Sequence, residues 1–258
     1  MAIQRYVRFD TKTGPVMGLL KKDLVYRIKG DLFGKHTVAE RGVAVGKLTL
    51  LEPVAANKVF AVGQNYLSHL GDRPVPTKPE MFYKPRTSLI PSGAAIVLPR
   101  EAEDVHSEGE LVLIIGKRVK RADKATAAKA IWGVTCGNDV SDRNWQRGAG
   151  KDVQWWRAKG CDTFGPLGPV AVRGLDHSNL LLTTRINGEV VQQQKTSDLI
   201  FDTATVVSFV SQFVTLEPGD LIYTGTPGNT RKMGPGDVVE VEIEGIGVLR
   251  NRLEAEPY

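Results

Sequence analysis

Glycine and proline recur along the whole chain, and this punctuation restricts the fold more than any other feature of the sequence. The 258 residues include 27 glycines and 14 prolines, and the segments between them are short and rich in β-branched residues. Such segments favour strands that end after a few residues, and they leave few stretches long enough for an amphipathic helix. The sequence therefore predicts a β-rich α+β fold.

Composition excludes several classes of protein. With 41% hydrophobic and 24% charged residues, the chain is typical of folded soluble proteins rather than disordered ones. No apolar stretch approaches the roughly 20 residues of a membrane helix, and the start of the chain lacks the apolar core of a signal peptide. We therefore expect a cytoplasmic protein without a membrane partner, in which Cys136 and Cys161 are reduced.

The strand-like segments group into two units. The first contains RYVRFD, PVMGLL and DLVYRIKG, which alternate and turn like a small meander, and a second unit begins with KVFAVG. We predict a small N-terminal β domain at residues 1–55 and a larger domain at residues 56–258. The polar, proline-rich interval 64–79 is longer than most connections between strands, which is typical of a lid.

Three further segments carry strong local signals. Apolar residues recur at helical spacing in DKATAAKAIWG and TATVVSFVSQFVTL, which predicts a helix in each. Asn187-Gly188 lies between two alternating segments, and this dipeptide is the strongest short signal for a β-hairpin.

The net charge of +5 is mild, and its densest basic stretch, Lys117–Lys124, follows an apolar run. A solvated connection explains this stretch better than a phosphate track does, so we expect no nucleic acid partner. A rival hypothesis is a non-catalytic β fold that binds nucleic acid there, with an affinity that falls steeply with salt. Mild positive charge suits small anionic metabolites, such as carboxylates, equally well.

The segment EDVHSEGELVLIIG has two carboxylates at the beginning of a very apolar run. In a strand, residues two apart project from the same face, so Glu108 and Glu110 lie side by side. Two glutamates next to a buried strand repel each other and resist burial unless a cation lies between them. Taken alone, however, an E-x-E pattern is more typical of an edge strand with two solvated glutamates.

Asp139 changes this balance, because it ends a second apolar run, WGVTCGND. Three carboxylates without a neighbouring cysteine favour Mg²⁺ or Mn²⁺ over Zn²⁺, with Ca²⁺ as a further candidate. One divalent ion would leave the three acids with a net negative charge. Nearby cations such as Arg143 and Lys159 would then help the site to accept an anionic ligand.

From Lys58 to Leu253 the chain resembles the fumarylacetoacetate hydrolase family. The resemblance lies in four blocks in family order: VFAVGQNYLSHLGD; VHSEGELVLIIGKRV; GVTCGNDVSDRNWQ with RAKGCDTFGPLGP; and INGEVVQQQKTSDLIF with LEPGDLIYTGTP and PGDVVEVEIEGIGVLRN. It implies a mixed β-sandwich roll with a small N-terminal β domain, a homodimer and a small oxo-acid substrate. The family's ligands for Mg²⁺, Mn²⁺ or Ca²⁺ match Glu108, Glu110 and Asp139.

The resemblance also implies roles for six other residues. The substrate-binding positions of the family match Arg143, Gln146 and Thr226. The catalytic positions match His69, Asp72 and Lys159. In the family, the histidine of the lid activates water, and in many members a glutamate three residues later orients it. Asp72 is one methylene shorter than that glutamate, which either weakens a hydrolytic pair or reflects a shifted loop.

The activity that the resemblance implies first is hydrolysis of a C–C bond in a 2,4-dioxo acid, such as an acylpyruvate or fumarylacetoacetate, through a metal-bound enolate. Decarboxylation or tautomerisation of oxaloacetate, isomerisation of 2-hydroxyhepta-2,4-diene-1,7-dioate and a ureidoglycolate lyase reaction are the alternatives on the same site. A relative that binds metal and ligand without turnover is a further rival.

Two other positions leave alternatives open. His106 adjoins the acidic block, and it either reaches the site or caps the strand. Trp155 and Trp156 either stack on a ligand or pack in the core or in a dimer interface, and packing is favoured.

Overall fold

The computed structural model describes residues 2–257, and strands form most of its regular structure. The strands of the first half are β1 (Gln4–Phe9), β2 (Val16–Lys21), β3 (Leu24–Gly30), β4 (His36–Ala44), β5 (Leu50–Leu51), β6 (Val59–Gly63), β7 (Glu80–Lys84), β8 (Leu89–Ile90), β9 (Ala95–Leu98), β10 (Val105–His106) and β11 (Gly109–Ile115). Those of the second half are β12 (Ile131–Asn138), β13 (Ser141–Asp142), β14 (Gly165–Arg173), β15 (Leu181–Ile186), β16 (Glu189–Lys195), β17 (Leu221–Tyr223), β18 (Val238–Ile243) and β19 (Gly247–Ala255). The α-helices are α1 (Leu67–Leu70), α2 (Lys124–Ala130), α3 (Arg143–Arg147), α4 (Trp156–Gly160) and α5 (Thr203–Phe213). Three 3₁₀ turns lie at Val45–Lys47, Arg86–Ser88 and Thr196–Asp198. The predicted β-rich fold is confirmed.

The largest sheet has the order β4-β3-β2-β1-β14-β12-β11-β17-β6-β7, with β5 paired to β1 and β8 paired to β14. The N-terminal strands form the antiparallel meander that the sequence predicts. Their sheet does not end at residue 55, however, because β1 pairs with β14. The division into domains at that residue stays a prediction.

A second sheet, in the order β16-β15-β18-β19-β9, packs against the first, where β11 and β12 contact β15 and β18. Its β15–β16 hairpin turns at Asn187 and Gly188, both with positive φ (52° and 83°), as a two-residue hairpin turn requires. Strand β11 is buried on both faces: Leu111, Leu113 and Ile115 pack in the cluster that includes residues of the second sheet, while Val112 and Ile114 pack in a separate cluster. Burial of such aliphatic side chains contributes about 1.5–3 kcal/mol each.

Both predicted helices are confirmed as α2 and α5. The side chains of Asp123 and Asp202 begin them by accepting backbone N–H bonds three residues on, from Thr126 at 2.7 Å and Thr205 at 2.8 Å, which satisfies otherwise unpaired donors. No helix within residues 2–257 has the length and apolar character to span a membrane. Both cysteines are free.

Antiparallel pairing of β11 with β12 brings together two chain segments that carry acids. Gly109, the first residue of β11, lies opposite Asn138, the last residue of β12. Glu108 and Asp139, the next residue in each direction, are therefore neighbours. The Asp139 N–H donates to the Glu108 carbonyl at 2.9 Å. The fold thus assembles the three predicted carboxylates at one end of two neighbouring strands that are almost completely buried.

Candidate metal centre and active site

Glu108, Glu110 and Asp139 are all buried, and carboxylate oxygens of the three lie within 4.8 Å of one another. Glu110 accepts one hydrogen bond, from the Gly225 N–H at 2.7 Å. Burial, followed by repulsion from Asp139 and Glu108, raises the pKa of the Glu110 carboxyl well above its ordinary value. Three acids at this distance are stable together only with cations nearby or with a proton retained.

Two cationic side chains contact the other two acids. Lys159 Nζ donates to Glu108 Oε2 at 2.6 Å and to Asp139 Oδ2 at 2.7 Å, while Arg143 Nη2 lies 2.5 Å from Glu108 Oε1. Burial alone would raise the pKa of Glu108, but Lys159 and Arg143 outweigh it and hold that pKa far below its ordinary value. The acids predicted as ligands and the cations predicted beside them therefore form one cluster.

Lys84, at the end of β7, is a member of this cluster that the sequence analysis missed. Its fully buried Nζ donates to Asp139 Oδ1 at 2.7 Å and to the Lys159 carbonyl. Desolvation lowers the pKa of Lys84, and the charge of Asp139 opposes that shift. A signal does exist in the sequence: Lys84 lies two residues after Phe82, so the two side chains share one face of a strand, and a buried lysine needs an acidic partner.

The donor set fits a hard divalent cation. Within residues 2–257, Glu110 is the one acid of the three without a cationic side chain at ion-pair distance, so either a retained proton or a bound cation must neutralise it. Carboxylate oxygens without cysteine or histidine ligands suit Mg²⁺, Mn²⁺ or Ca²⁺. The same three residues would hold the ion, as the sequence analysis predicts.

The short helix α3 carries the predicted substrate-binding residues of this region. The buried Asp142 side chain begins the helix by accepting the Trp145 N–H at 3.0 Å. Arg143 Nη1 then contacts Gln146 Oε1 at 2.6 Å, and Arg143 Nη2 donates to Thr230 Oγ1 at 2.9 Å. Arg143 and Gln146 therefore share one guanidinium–amide contact at the wall of the site.

Thr226 lies on the opposite chain segment, directly after Gly225. Its hydroxyl donates to the Gly109 carbonyl at 2.9 Å and accepts from Gln192 Nε2 at 3.0 Å. Gln192, a buried side chain that the sequence analysis did not single out, also donates to the Pro227 carbonyl at 2.6 Å. These bonds fix the T-G-T-P segment against the beginning of β11.

His69 reaches the site, but its predicted pairing with Asp72 is not formed. The His69 Nδ1–H donates to the Gly228 carbonyl, so Nε2 is the unprotonated nitrogen of the neutral ring. Helix α1 ends at Gly71 with a φ of 57°, and the chain continues to an exposed Asp72. The backbone thus supplies the contact that we expected from a carboxylate. Burial lowers the pKa of His69 below its ordinary 6.5.

These groups surround a cavity of about 420 Å³, a size typical of small-molecule sites. The residues that line it are Val62, Gly63, Gln64, His69, Arg73, His106, Glu108, Glu110, Arg143, Gln146, Arg147, Trp155, Lys159, Thr226, Asn229 and Thr230. All the predicted site residues except Asp72 and the deeper Asp139 are among them. Four cationic side chains and two carboxylates line the cavity, so it favours an anionic ligand once a divalent ion is bound.

The structure shows where His106 and the two tryptophans, Trp155 and Trp156, lie relative to the cavity. His106 lines the cavity, with its ring held by Thr230 Oγ1 at 3.0 Å and by Asp104 Oδ1 at 3.1 Å. Trp155 also lines it and packs edge-on against Phe82, whereas Trp156 is 69% exposed. Only the first tryptophan is therefore placed to contact a ligand.

The β-rich fold carries a buried acidic trio that could hold a divalent metal ion, at the base of a cavity lined by cations. Residues 58–254 match the family model described as fumarylacetoacetate (FAA) hydrolase, C-terminal, and residues 4–53 match the model described as Rv2993c-like, N-terminal. The chain belongs to the fumarylacetoacetate hydrolase family.

Several relatives carry names that refer to tautomerisation or isomerisation. The oxaloacetate tautomerase FAHD2A of Bos taurus is 42% identical over 220 residues, which cover 80% of this chain and 70% of that protein. The crystal structure of 2-hydroxyhepta-2,4-diene-1,7-dioate isomerase from Mycobacterium marinum is similar over 99% of this chain and 100% of its own, with 37% identity and a TM-score of 0.91. The crystal structure of 5-carboxymethyl-2-hydroxymuconate delta-isomerase from Mycobacterium smegmatis is similar over 98% of this chain and 100% of its own, with 40% identity and a TM-score of 0.91.

Proposed function

We propose that this protein interconverts the keto and enol forms, or the double-bond isomers, of a 2-oxo dicarboxylic acid, with oxaloacetate as the first candidate. The observation that carries the proposal is the environment of His69, which is held by a backbone carbonyl and, among residues 2–257, has no carboxylate hydrogen-bond partner. Such a histidine can accept and return a proton, but it lacks the acidic partner that would strengthen it as an activator of water. The names of the relatives agree with this chemistry.

Glu108, Glu110 and Asp139 would hold the divalent ion, with Mg²⁺ or Mn²⁺ first and Ca²⁺ as the alternative. When bound, such an ion supplies a Lewis acid that polarises the 2-oxo group and favours loss of the neighbouring proton. Lys159, already hydrogen-bonded to two of these acids, would keep the cluster neutral enough to accept an anion.

Substrate binding would rest on the cations of the cavity. Arg143 and Gln146 already contact each other, so together they offer a guanidinium and an amide to one substrate carboxylate. Arg73 and Arg147 line the same cavity and would favour a second carboxylate over an uncharged group. A dicarboxylic acid therefore fits the charge of the cavity better than a monoacid does.

The reaction moves one proton between C3 and the oxygen on C2, and it consumes no water. His69 Nε2 would take the proton from C3 and deliver it to the oxygen on C2, and would do the reverse in the other direction, because Nδ1 already donates to Gly228. The lowered pKa of His69 keeps the ring neutral, and hence able to accept a proton, at neutral pH. One group in the right protonation state is enough for this exchange.

Hydrolysis of a C–C bond, the activity predicted first from the sequence, stays a prediction, as do the decarboxylase and lyase alternatives. Hydrolysis would require water activation by His69 without help from Asp72 in the arrangement seen here. The homodimer, the cytoplasmic location and the absence of a nucleic acid partner also stay predictions.

The test is a set of rate measurements on metal-stripped protein supplied with Mg²⁺ or Mn²⁺. The substrates are enol-oxaloacetate, an acylpyruvate and an unsaturated oxo-diacid, and Glu108→Gln serves as the metal-site control. We expect metal-dependent tautomerisation that falls by about 100-fold or more in His69→Gln and changes less than about twofold in Asp72→Asn. Equal losses in both variants, together with faster acylpyruvate cleavage, would instead support hydrolysis by a His69–Asp72 pair.

A further inference from the structure

A second cavity, of about 400 Å³, lies at the other end of the strands that carry the acidic trio. Gly116 and Lys117 line it directly after β11, and Ile131 and Trp132 line it at the beginning of β12. Since β11 is seven residues long and a strand rises about 3.3 Å per residue, roughly 20 Å separates the two ends. The two cavities have no lining residue in common.

The titratable residues that line this second cavity are three cations and one histidine. Lys117, Lys129 and Arg173 line it together with His177, and no aspartate or glutamate does. In the part of the chain that the structure describes, none of the three cations forms an ion pair within 4.0 Å, although Asp123 interacts electrostatically with Lys129. Three cations around one concavity raise the local concentration of anions.

Trp132 forms part of the wall of this cavity. The side chain is 8% exposed, and its indole N–H is buried without a hydrogen-bond partner among residues 2–257. Tyr6 and Phe33 pack on the ring, and the Arg173 guanidinium lies 5.8 Å from its centre. Because the indole nitrogen is enclosed by protein atoms, Trp132 forms a wall of the cavity and offers no donor to a ligand there.

His177 does not contribute in the same way. Its two ring nitrogens already contact the Leu175 carbonyl and Thr203 Oγ1, at 3.4 and 3.2 Å. The neighbouring acid, Asp176, is exposed and accepts the Ser178 N–H. The cavity therefore depends on the two lysines and the arginine for its charge.

We infer that the second cavity binds a small polyanion whose phosphate or carboxylate oxygens contact Lys117, Lys129 and Arg173. This function is separate from the proposed tautomerase activity, because the site has its own residues and needs no metal. It also gives Lys117 a ligand within the fold, where the sequence analysis had predicted a solvated connection.

The experiment is calorimetric titration of metal-free protein at low salt with two probes, pyrophosphate and citrate. The cavity variant carries Lys117→Ala, Lys129→Ala and Arg173→Ala. A control variant loses the same charge from three exposed cations far from the cavity: Lys12→Ala, Arg41→Ala and Lys47→Ala. Circular dichroism and thermal unfolding establish that both variants fold.

We expect at least one probe to saturate the wild-type protein, with a dissociation constant that rises tenfold or more in the cavity variant and less than twofold in the control. Tighter binding of pyrophosphate would assign a phosphate ligand, and tighter binding of citrate a carboxylate. Three results would overturn the inference: no saturable binding by the wild type, equal weakening in both variants, or binding lost in Arg143→Ala but kept in the cavity variant, which would assign it to the candidate active site.

Discussion

Lys84 joins parts of the candidate site that are far apart in sequence. It lies at the end of β7, yet it donates both to Asp139 after β12 and to the backbone of α4 at Lys159. A lysine buried between an acid and a carbonyl fixes the distance between the strands and the helix. Moving either element would leave the buried ammonium or carboxylate without a partner, which costs free energy.

We predict that Lys84→Met lowers the free energy of unfolding of the metal-free protein by roughly 3–5 kcal/mol, because it leaves the buried Asp139 with one cation fewer. Urea unfolding measures this loss. The matched control is Arg250→Met, which breaks a pair with Glu240 in which the arginine is 62% exposed, and such pairs contribute about 0–1 kcal/mol. A Lys84→Met protein as stable as the control would show that the buried pair contributes nothing.

The raised pKa of Glu110 predicts how metal binding depends on pH. Its ordinary pKa is 4.5, and burial with acidic neighbours raises it in the metal-free protein, so the proton stays on above pH 4.5. A raised pKa stabilises the fold at low pH, and that contribution is lost as pH rises through the raised value. A divalent ion must displace the proton, so binding should strengthen by up to about tenfold per pH unit in that window.

Calorimetry of Mg²⁺ binding in buffers of different ionisation enthalpy measures the released proton. The control is Glu101→Gln, an exposed acid outside the trio, which should release the same number of protons as the wild type. Binding that releases no proton between pH 5 and about 7 would contradict the assignment of Glu110 as a protonated ligand.

Among single residues, the sequence predicts the three acids of the candidate metal site but not every contact around them. Glu108 and Glu110 follow from the two-residue period of a strand, and Asp139 follows from the end of the next apolar run. The Gly228 carbonyl that holds His69 has no sequence signal, because every residue has a carbonyl and only the fold decides which one is near.

Among the elements, α3 depends on one buried carboxylate. Asp142 Oδ1 accepts the Trp145 N–H at 3.0 Å, and its Oδ2 accepts the N–H groups of Glu103 and Asp104 at 2.9 and 3.2 Å. The same side chain therefore begins the helix that carries Arg143 and attaches it to the segment before β10.

We predict that Asp142→Ala destabilises the protein by about 2–4 kcal/mol, since it removes a helix cap and leaves two further N–H groups unpaired. It should also raise KM by about tenfold or more, because Arg143 loses its fixed position. Asp123→Ala at the exposed cap of α2 is the control, with a loss of about 1 kcal/mol and no change in KM. If both variants alter KM equally, Asp142 does not position α3.

Element length explains which helices the sequence could predict. The helix α5 spans 11 residues and shows its apolar period clearly, as does the capped α2. In contrast α1, α3 and α4 have four or five residues each, barely more than one turn, so no periodicity can develop. These three carry His69, Arg143 and Lys159, so the elements hardest to predict are those that complete the site.

For the whole molecule, the open question is whether the first 55 residues unfold on their own. Val7, Phe9 and Val25 belong to the same buried cluster as Leu111 and Leu113 of β11. The pairing of β1 with β14 also makes the N-terminal meander a continuation of the main sheet. Shared core and shared hydrogen bonds favour one cooperative unit over two.

We therefore predict that Val7→Ala lowers the protection of β11 and β12 amides against hydrogen exchange by about 2 kcal/mol, equal to its effect on global stability. Val43→Ala, at a position 47% exposed in β4, is the control and should change protection by less than about 0.5 kcal/mol. Exchange of both regions, followed by mass spectrometry at increasing urea, measures the effect. If Val7→Ala weakens protection only in β1–β4, the N-terminal strands unfold separately, and the predicted boundary at residue 55 marks a true domain.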